Sequence, residues 1–238
     1  MSRHNGPNIV TNGLVLYLDA ANRQSYPGSG TNWYDAAGSS ISGSLINGPT
    51  FDSANGGSIV FDGVNDYINS TPLSSPGPPI TVETFCKFND SPSDTNNFRY
   101  IFSLGNNVLG EMISLSKSKT VSPAGTLQPN QGYIYLGGGQ DDGLRNIDYI
   151  FTGSLYHHVA IQVLPDNQTL KCYIDGAEVG VQSNTQSISL GSTLNLGRWF
   201  YPLWYLTGNI STFRIYNRAL SQSEVLQNYN ATKARYGL

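Results

Sequence analysis

Charge is scarce in this chain. Only 12% of its 238 residues are Asp, Glu, Lys or Arg, with 13 basic against 16 acidic and a formal net charge of −3. No run of Lys and Arg exists that could follow a phosphate backbone, so nucleic acid is not an expected partner. No stretch approaches about 18 continuous apolar residues, so no membrane-spanning helix is expected. The opening MSRHNGPNIVTNG has no apolar core of a secretion signal, and the expectation is a product made in a cytoplasm without one. Cysteine occurs twice, at Cys86 and Cys172. Each sits inside a strand-like run and reads as a small buried hydrophobe, because a chain of this length can bury a core without disulfide staples. Glutamate occurs four times, at Glu83, Glu111, Glu178 and Glu224.

What is abundant points to many short strands joined by polar turns. There are 26 glycines and 15 tyrosines, and hydrophobic residues make up 39% of the chain. GLVLYLDA (13–20) reads as a buried strand, and residues 22–56 as a long Gly/Ser/Asn-rich excursion with brief strands. ITVETFCKF (80–88) alternates over nine residues, with Ile80, Val82, Thr84, Cys86 and Phe88 on one face. Further strands are expected at 58–63, 66–70, 99–105, 111–116, 132–139, 192–199 and 207–217. YHHVAIQV and LKCYIDGAEVG (156–180) form a meander, with Asp175-Gly176 supplying a tight hairpin turn. Ser221-Gln222-Ser223-Glu224 is a capping box that opens one C-terminal helix over 221–236. No repeat period or long linker divides the chain, so one domain is expected over 1–238, with 1–12 as an N-terminal arm.

Reactive groups are weighed against this strand pattern. His157 and His158 are adjacent on a strand and point to opposite faces, so they cannot hold one metal ion over one face. No carboxylate partner for either is visible nearby. No G-x-S-x-G elbow appears, and neither cysteine lies in a Cys/His signature. Glycoside hydrolysis needs two carboxylates on one face. Glu224 belongs to the helix cap and Glu178 to the hairpin. Glu83 and Glu111 are single carboxylates on separate strands that could meet across a sheet, but no spacing pairs them. No catalytic residue is expected.

RWFYPLWYL (198–206) packs five aromatic residues and a proline into nine positions. Exposed, Trp199, Tyr201, Trp204 and Tyr205 would stack on sugar rings or anchor a protein interface; buried, they would be core. The segments 117–131 and QDDGLRN (140–146) read as rim loops. In FDGVNDY, Asp62 and Asp66 read as closing an Asx-type turn.

Five segments together resemble the laminin G-like members of the concanavalin A-like lectin/glucanase superfamily: GSIVFDGVNDYI (57–68), ITVETFCKF (80–88), YHHVAIQV with LKCYIDGAEVG (156–180), LNLGRW (194–199) and GNISTFRIYNRALSQSEV (208–225). The resemblance implies an all-β jelly-roll sandwich of two antiparallel sheets, six or seven strands each, with a short C-terminal helix. It also implies one Ca²⁺ on the sandwich rim, for which Asp19 and Asn209 are the candidates. Ser211 stands where many relatives carry Asp, which lowers the expected affinity. The opening block GPNIVTNGLVLYLDAANRQSYPGSGTNWYDAAGSS (6–40) resembles that of laminin G-like proteins encoded by tailed bacteriophages. It implies a non-enzymatic virion protein, a capsid decoration or tail fibre component present in many copies. Its expected partners are other virion proteins and cell-surface or environmental glycans. A free carbohydrate-binding lectin module is the alternative, and a glycoside hydrolase the third reading.

Overall fold

The structure, a computed structural model, describes residues 7–74, 77–89, 98–106, 112–118, 130–136, 144–151, 154–183 and 187–238. In chain order the strands are β1 (Leu14–Asp19), β2 (Asn32–Tyr34), β3 (Ser42–Ile46), β4 (Thr50–Asp52), β5 (Ser58–Asp62), β6 (Tyr67–Ser70), β7 (Ile80–Phe88) and β8 (Phe98–Gly105). They continue with β9 (Met112–Ser118), β10 (Gln131–Leu136), β11 (Leu144–Ile150), β12 (Tyr156–Val163), β13 (Thr169–Ile174), β14 (Ala177–Ser183), β15 (Leu194–Leu196) and β16 (Thr207–Tyr216). One helix, α1 (Gln222–Thr232), follows.

The strands form two antiparallel sheets. Sheet A runs β14-β13-β12-β7-β16-β5-β4, with β1 pairing to the second half of β16. Sheet B runs β11-β10-β9-β8-β15-β6-β3-β2. Each has eight strands rather than six or seven, because the excursion after β1 contributes the short edge strands β2 and β4. Residues 144–146, the end of a segment read from sequence as a rim loop, open β11.

Period-two alternation explains the layering. On β7, Ile80, Val82, Cys86 and Phe88 enter the core between the sheets, where they meet Ile101, Phe102 and Leu104 from β8 and Phe213 and Ile215 from β16. Both cysteines are buried free thiols. The β13–β14 hairpin turns at Asp175 and Gly176, with φ of 53° and 82°, the two left-handed residues that this type of turn needs. Asp62 Oδ1 accepts from the Val64 N–H at 2.8 Å, closing the expected Asx turn.

The helix begins at the capping box. Ser221 Oγ accepts from the Glu224 N–H, and Glu224 reaches back to the Ser221 N–H at 2.8 Å. Arg218 adds two hydrogen bonds to Glu224, at 2.6 and 2.9 Å. These hydrogen bonds, outweighing modest burial, hold the Glu224 pKa down at about 2. α1 then lies over the outer face of sheet A. The N-terminal segment is tied to it, because the Val10 N–H donates to Asn228 Oδ1 at 2.7 Å.

Candidate functional site

The two outer faces of the sandwich are treated differently. The outer face of sheet A is closed by α1 and the residues after it. Asn228 Nδ2 donates to Glu83 Oε2 at 2.8 Å, and Arg214 Nη2 to Thr232 Oγ1 at 3.2 Å. Tyr236 stacks on Phe85 with ring centroids 4.7 Å apart, and its hydroxyl donates to Ser211 at 2.6 Å. Beneath the helix lies a buried charged group. Arg214 Nη1 stands 3.8 Å from Glu83 Oε2, and His158 Nε2 stands 3.7 Å from Glu83 Oε1, with the side chains fully or almost fully buried. Register places Arg214 directly opposite Glu83, and Tyr17 directly opposite Arg214. Burial would lower the Arg214 pKa, but the facing Tyr17, Tyr216 and Glu83 outweigh it and hold the guanidinium charged.

Both histidines therefore have a carboxylate partner that sequence reading did not supply. His157 Nδ1 contacts Asp175 Oδ2 at 2.9 Å, and the His158 N–H donates to Asp175 Oδ1 at 2.9 Å. A signal was available: the turn over 164–169 between β12 and β13 pairs Val163 with Leu170, which carries His158 alongside Asp175 at the other end of the two strands. The histidines still point to opposite faces. Cys86 lies opposite His157 in register, but burial, and then the Asp175 carboxylate, push its thiol pKa well up, which removes it as a nucleophile at neutral pH. Glu83 lies beneath the helix, in no open cleft, and Glu111 is outside the described residues.

Asp19 and Asn209, the calcium candidates, lie on neighbouring strands as expected, since Asp19 pairs with Thr212 on β16. Their side chains are committed elsewhere. Arg235 grips both Asp19 oxygens at 2.8 and 2.9 Å, and the Tyr17 hydroxyl donates to Oδ2 at 2.6 Å. Asn209 donates to Ser58 Oγ and accepts from Asn89 Nδ2. No group of three or more His, Cys, Asp or Glu suited to a metal ion occurs among the described residues. An ion at Asp19 would compete with the Arg235 guanidinium for this carboxylate. Burial tends to raise the Asp19 pKa, but hydrogen bonds and charge from Arg235, with help from Tyr17, lower it overall. A lowered native pKa stabilises the fold above the unfolded carboxylate value of about 4, and this is lost as pH falls through the native value. In pH-resolved denaturant titrations, the wild type should exceed Asp19→Asn at neutral pH, with the gap closing in acid.

Among the described residues, sheet B is uncovered on part of its outer face, where Asn32 and Asn69 are exposed. The buried partners of β8 and β9 on the outward side are Tyr100 and Met112, and over them lies the loop 198–206. Trp199 packs on Tyr100 with centroids 4.6 Å apart, and Trp204 packs on Phe98 at 5.4 Å and Tyr100 at 6.0 Å. This cluster is separate from the main core. Trp204 has φ of 55°, a left-handed conformation that costs a bulky residue about 1–3 kcal/mol; contacts of its ring with three others offset that cost. The four aromatic residues expected to act together differ in burial and in role. Trp199 and Trp204 anchor the loop, Tyr205 is half-buried, and Tyr201, 51% exposed, stands at the tip with Leu203.

Beside the loop, register lines up six outward side chains on six neighbouring strands. Asn32 faces Ser44, Ser44 faces Asn69, Asn69 faces Asn195, Asn195 faces Ser103 and Ser103 faces Ser114. Arg198 lies across this line. Its guanidinium sits 3.6 Å from the Tyr67 ring centroid and donates from Nε and Nη2 to Asn195 Oδ1 at 3.2 and 2.9 Å. Sequence reasoning missed the line because its members lie far apart in the chain and only strand register joins them. No described outward residue of β2, β3, β6, β15, β8 or β9 is a carboxylate. A groove of about 490 Å³ beside β1, between Leu14, Val15, Ile41 and Leu73, has no titratable or aromatic lining residue among those described.

A family model described as the concanavalin A-like lectin/glucanases superfamily matches residues 62–226, more than half of the chain. The chain belongs to this superfamily. Its lectin-type sandwich also matches solved structures. Trypanosoma rangeli sialidase in complex with 2,3-difluorosialic acid aligns over 97% of this chain and 35% of its own, at 16% identity and a TM-score of 0.66. The botulinum neurotoxin type G receptor binding domain aligns over 92% of this chain and 51% of its own, at 13% identity and a TM-score of 0.65. The chain thus spans about a third of the sialidase and half of the receptor binding domain, and at these identities the likeness is one of fold. Comparison with curated proteins gives no match.

Proposed function

We propose that this lectin-type domain is a non-enzymatic carbohydrate-binding module that works by contact. The observation that carries the reading is the outer face of sheet B, where the Asn/Ser line, the Arg198–Tyr67 stack and the aromatic loop meet. Amides and hydroxyls exchange hydrogen bonds with sugar hydroxyls, and aromatic rings pack on the apolar faces of sugars, so such a surface suits a glycan. The described residues of these strands include no carboxylate, which supports the non-enzymatic reading. The setting we propose is the surface of a tailed-phage particle, in several copies docked on capsid or tail proteins. It is supported by the resemblance of residues 6–40 to the opening of phage-encoded laminin G-like proteins. A glycan array is the test of binding. Hits that Trp199→Ala weakens, without release of reducing ends, support the reading; an array with no hits, or hits accompanied by cleavage, contradicts it. A mass-spectrometric census of purified particles tests the setting, with a fixed stoichiometry expected.

A further inference from the structure

The line across sheet B has a length, a charge and two walls, and these restrict the kind of glycan it would take, given the carbohydrate-binding reading above. Neighbouring strands stand about 4.8 Å apart, so six strands set the line at about 24 Å from end to end. All six members are amides or hydroxyls, with no ionic group. Asn32 and Asn69 are exposed and Ser44 is half-buried. None of these three side chains has a hydrogen bond to another described residue. Towards the aromatic loop the line sinks into the protein: Asn195 and Ser103 are buried, and the Ser114 hydroxyl is fully buried without a partner. Outward neighbours along each strand bound the track, with Ile46 and Tyr67 on one side and Tyr34 and Ser42 on the other.

We propose that the ligand is a linear, uncharged polysaccharide lying across the strands along this line, with roughly one sugar ring per strand over β2, β3, β6 and β15. An extended glycan advances by about one strand separation per ring, so successive rings meet successive side chains of the same chemistry. The end nearest the loop abuts Arg198, whose plane is already set by Tyr67 and Asn195. A carboxylated chain would find no counter-charge along the open part, since β2, β3, β6 and β15 carry no Lys, Arg or His and two nitrogens of Arg198, just beyond β15, are engaged by Asn195.

The test is titration calorimetry with cello-, xylo- and manno-oligosaccharides of increasing length, and with oligogalacturonates as the charged probe. Affinity for at least one neutral series should climb with each added unit up to about four, with three rings over the open members on β2, β3 and β6 and a fourth over β15 beside Arg198. Asn69→Ala should weaken binding of that tetramer about tenfold, or about 1.4 kcal/mol, and leave monosaccharide binding little changed. Asn69 is exposed, so the variant should fold; Ser44→Ala provides a second reading at the adjacent strand. Equal affinity for monomer and tetramer, a preference for oligogalacturonate, or binding confined to branched glycans on the array would overturn the linear, neutral track while leaving carbohydrate binding intact. No binding to any glycan would overturn both.

Discussion

Arg214→Ala should cost about 3–5 kcal/mol of unfolding free energy, because removing one partner of a buried ion pair leaves the other charge unpaired inside the protein. The stranded group is Glu83, with Asn228 and His158 as its remaining neighbours beneath α1. Arg214 is also one of the points from which the sheet grips the helix, through Thr232, and it lies over the Tyr17 ring at 4.8 Å. A protein of this kind has about 5–15 kcal/mol of stability in total, so the loss should be plain as a large fall in the urea midpoint. The double replacement Glu83→Met with Arg214→Met gives the opposite expectation. Removing both charges together and filling the space should be close to neutral or stabilising. If the single and double variants lose the same amount, the buried pair is not what holds the helix to the sheet.

Trp199→Ala should show the second large effect, of about 3–5 kcal/mol for the loss of a buried tryptophan. Its location makes the outcome specific. Trp199 is 6% exposed and packs on Tyr100 in a cluster that does not join the main core. The loss should therefore fall first on the loop 198–206, which frees Trp204 from its left-handed conformation and Arg198 from its place over Tyr67. Hydrogen exchange should quicken through the loop while the strands of sheet A remain protected. Carbohydrate affinity should fall at least about tenfold, as for an anchor whose removal disorders its surroundings. A variant whose loop exchanges as slowly as the wild type would show that Trp199 does not hold it.

The sandwich was largely legible in the sequence because alternation is a local property. The nine residues of β7 declare which side is core, and Asp175-Gly176 declares a hairpin whatever lies around it. The capping box at Ser221 located the helix start. What the sequence hid depends on which strands become neighbours. Nothing near Asp19 announces that Arg235, more than two hundred residues later, will pair with its carboxylate. Glu83 looked like an isolated acid on a strand and proved to be the centre of a buried cluster, because β16 brings Arg214 opposite it. The aromatic run 198–206 was visible as composition, but its division into anchors and an exposed tip follows from the outward residues Tyr100 and Phe98 of β8. The line of Asn and Ser across sheet B draws on residues from six strands, none of them distinctive by itself.

Hydrogen–deuterium exchange, with and without an oligosaccharide that the protein binds, tests the functional claim most directly. The expected result is new protection in β3, β6, β15 and the loop 198–206, with the sugar recovered uncleaved. Protection confined to sheet A and the rim around Asp19, or a ligand shortened during the incubation, would contradict it.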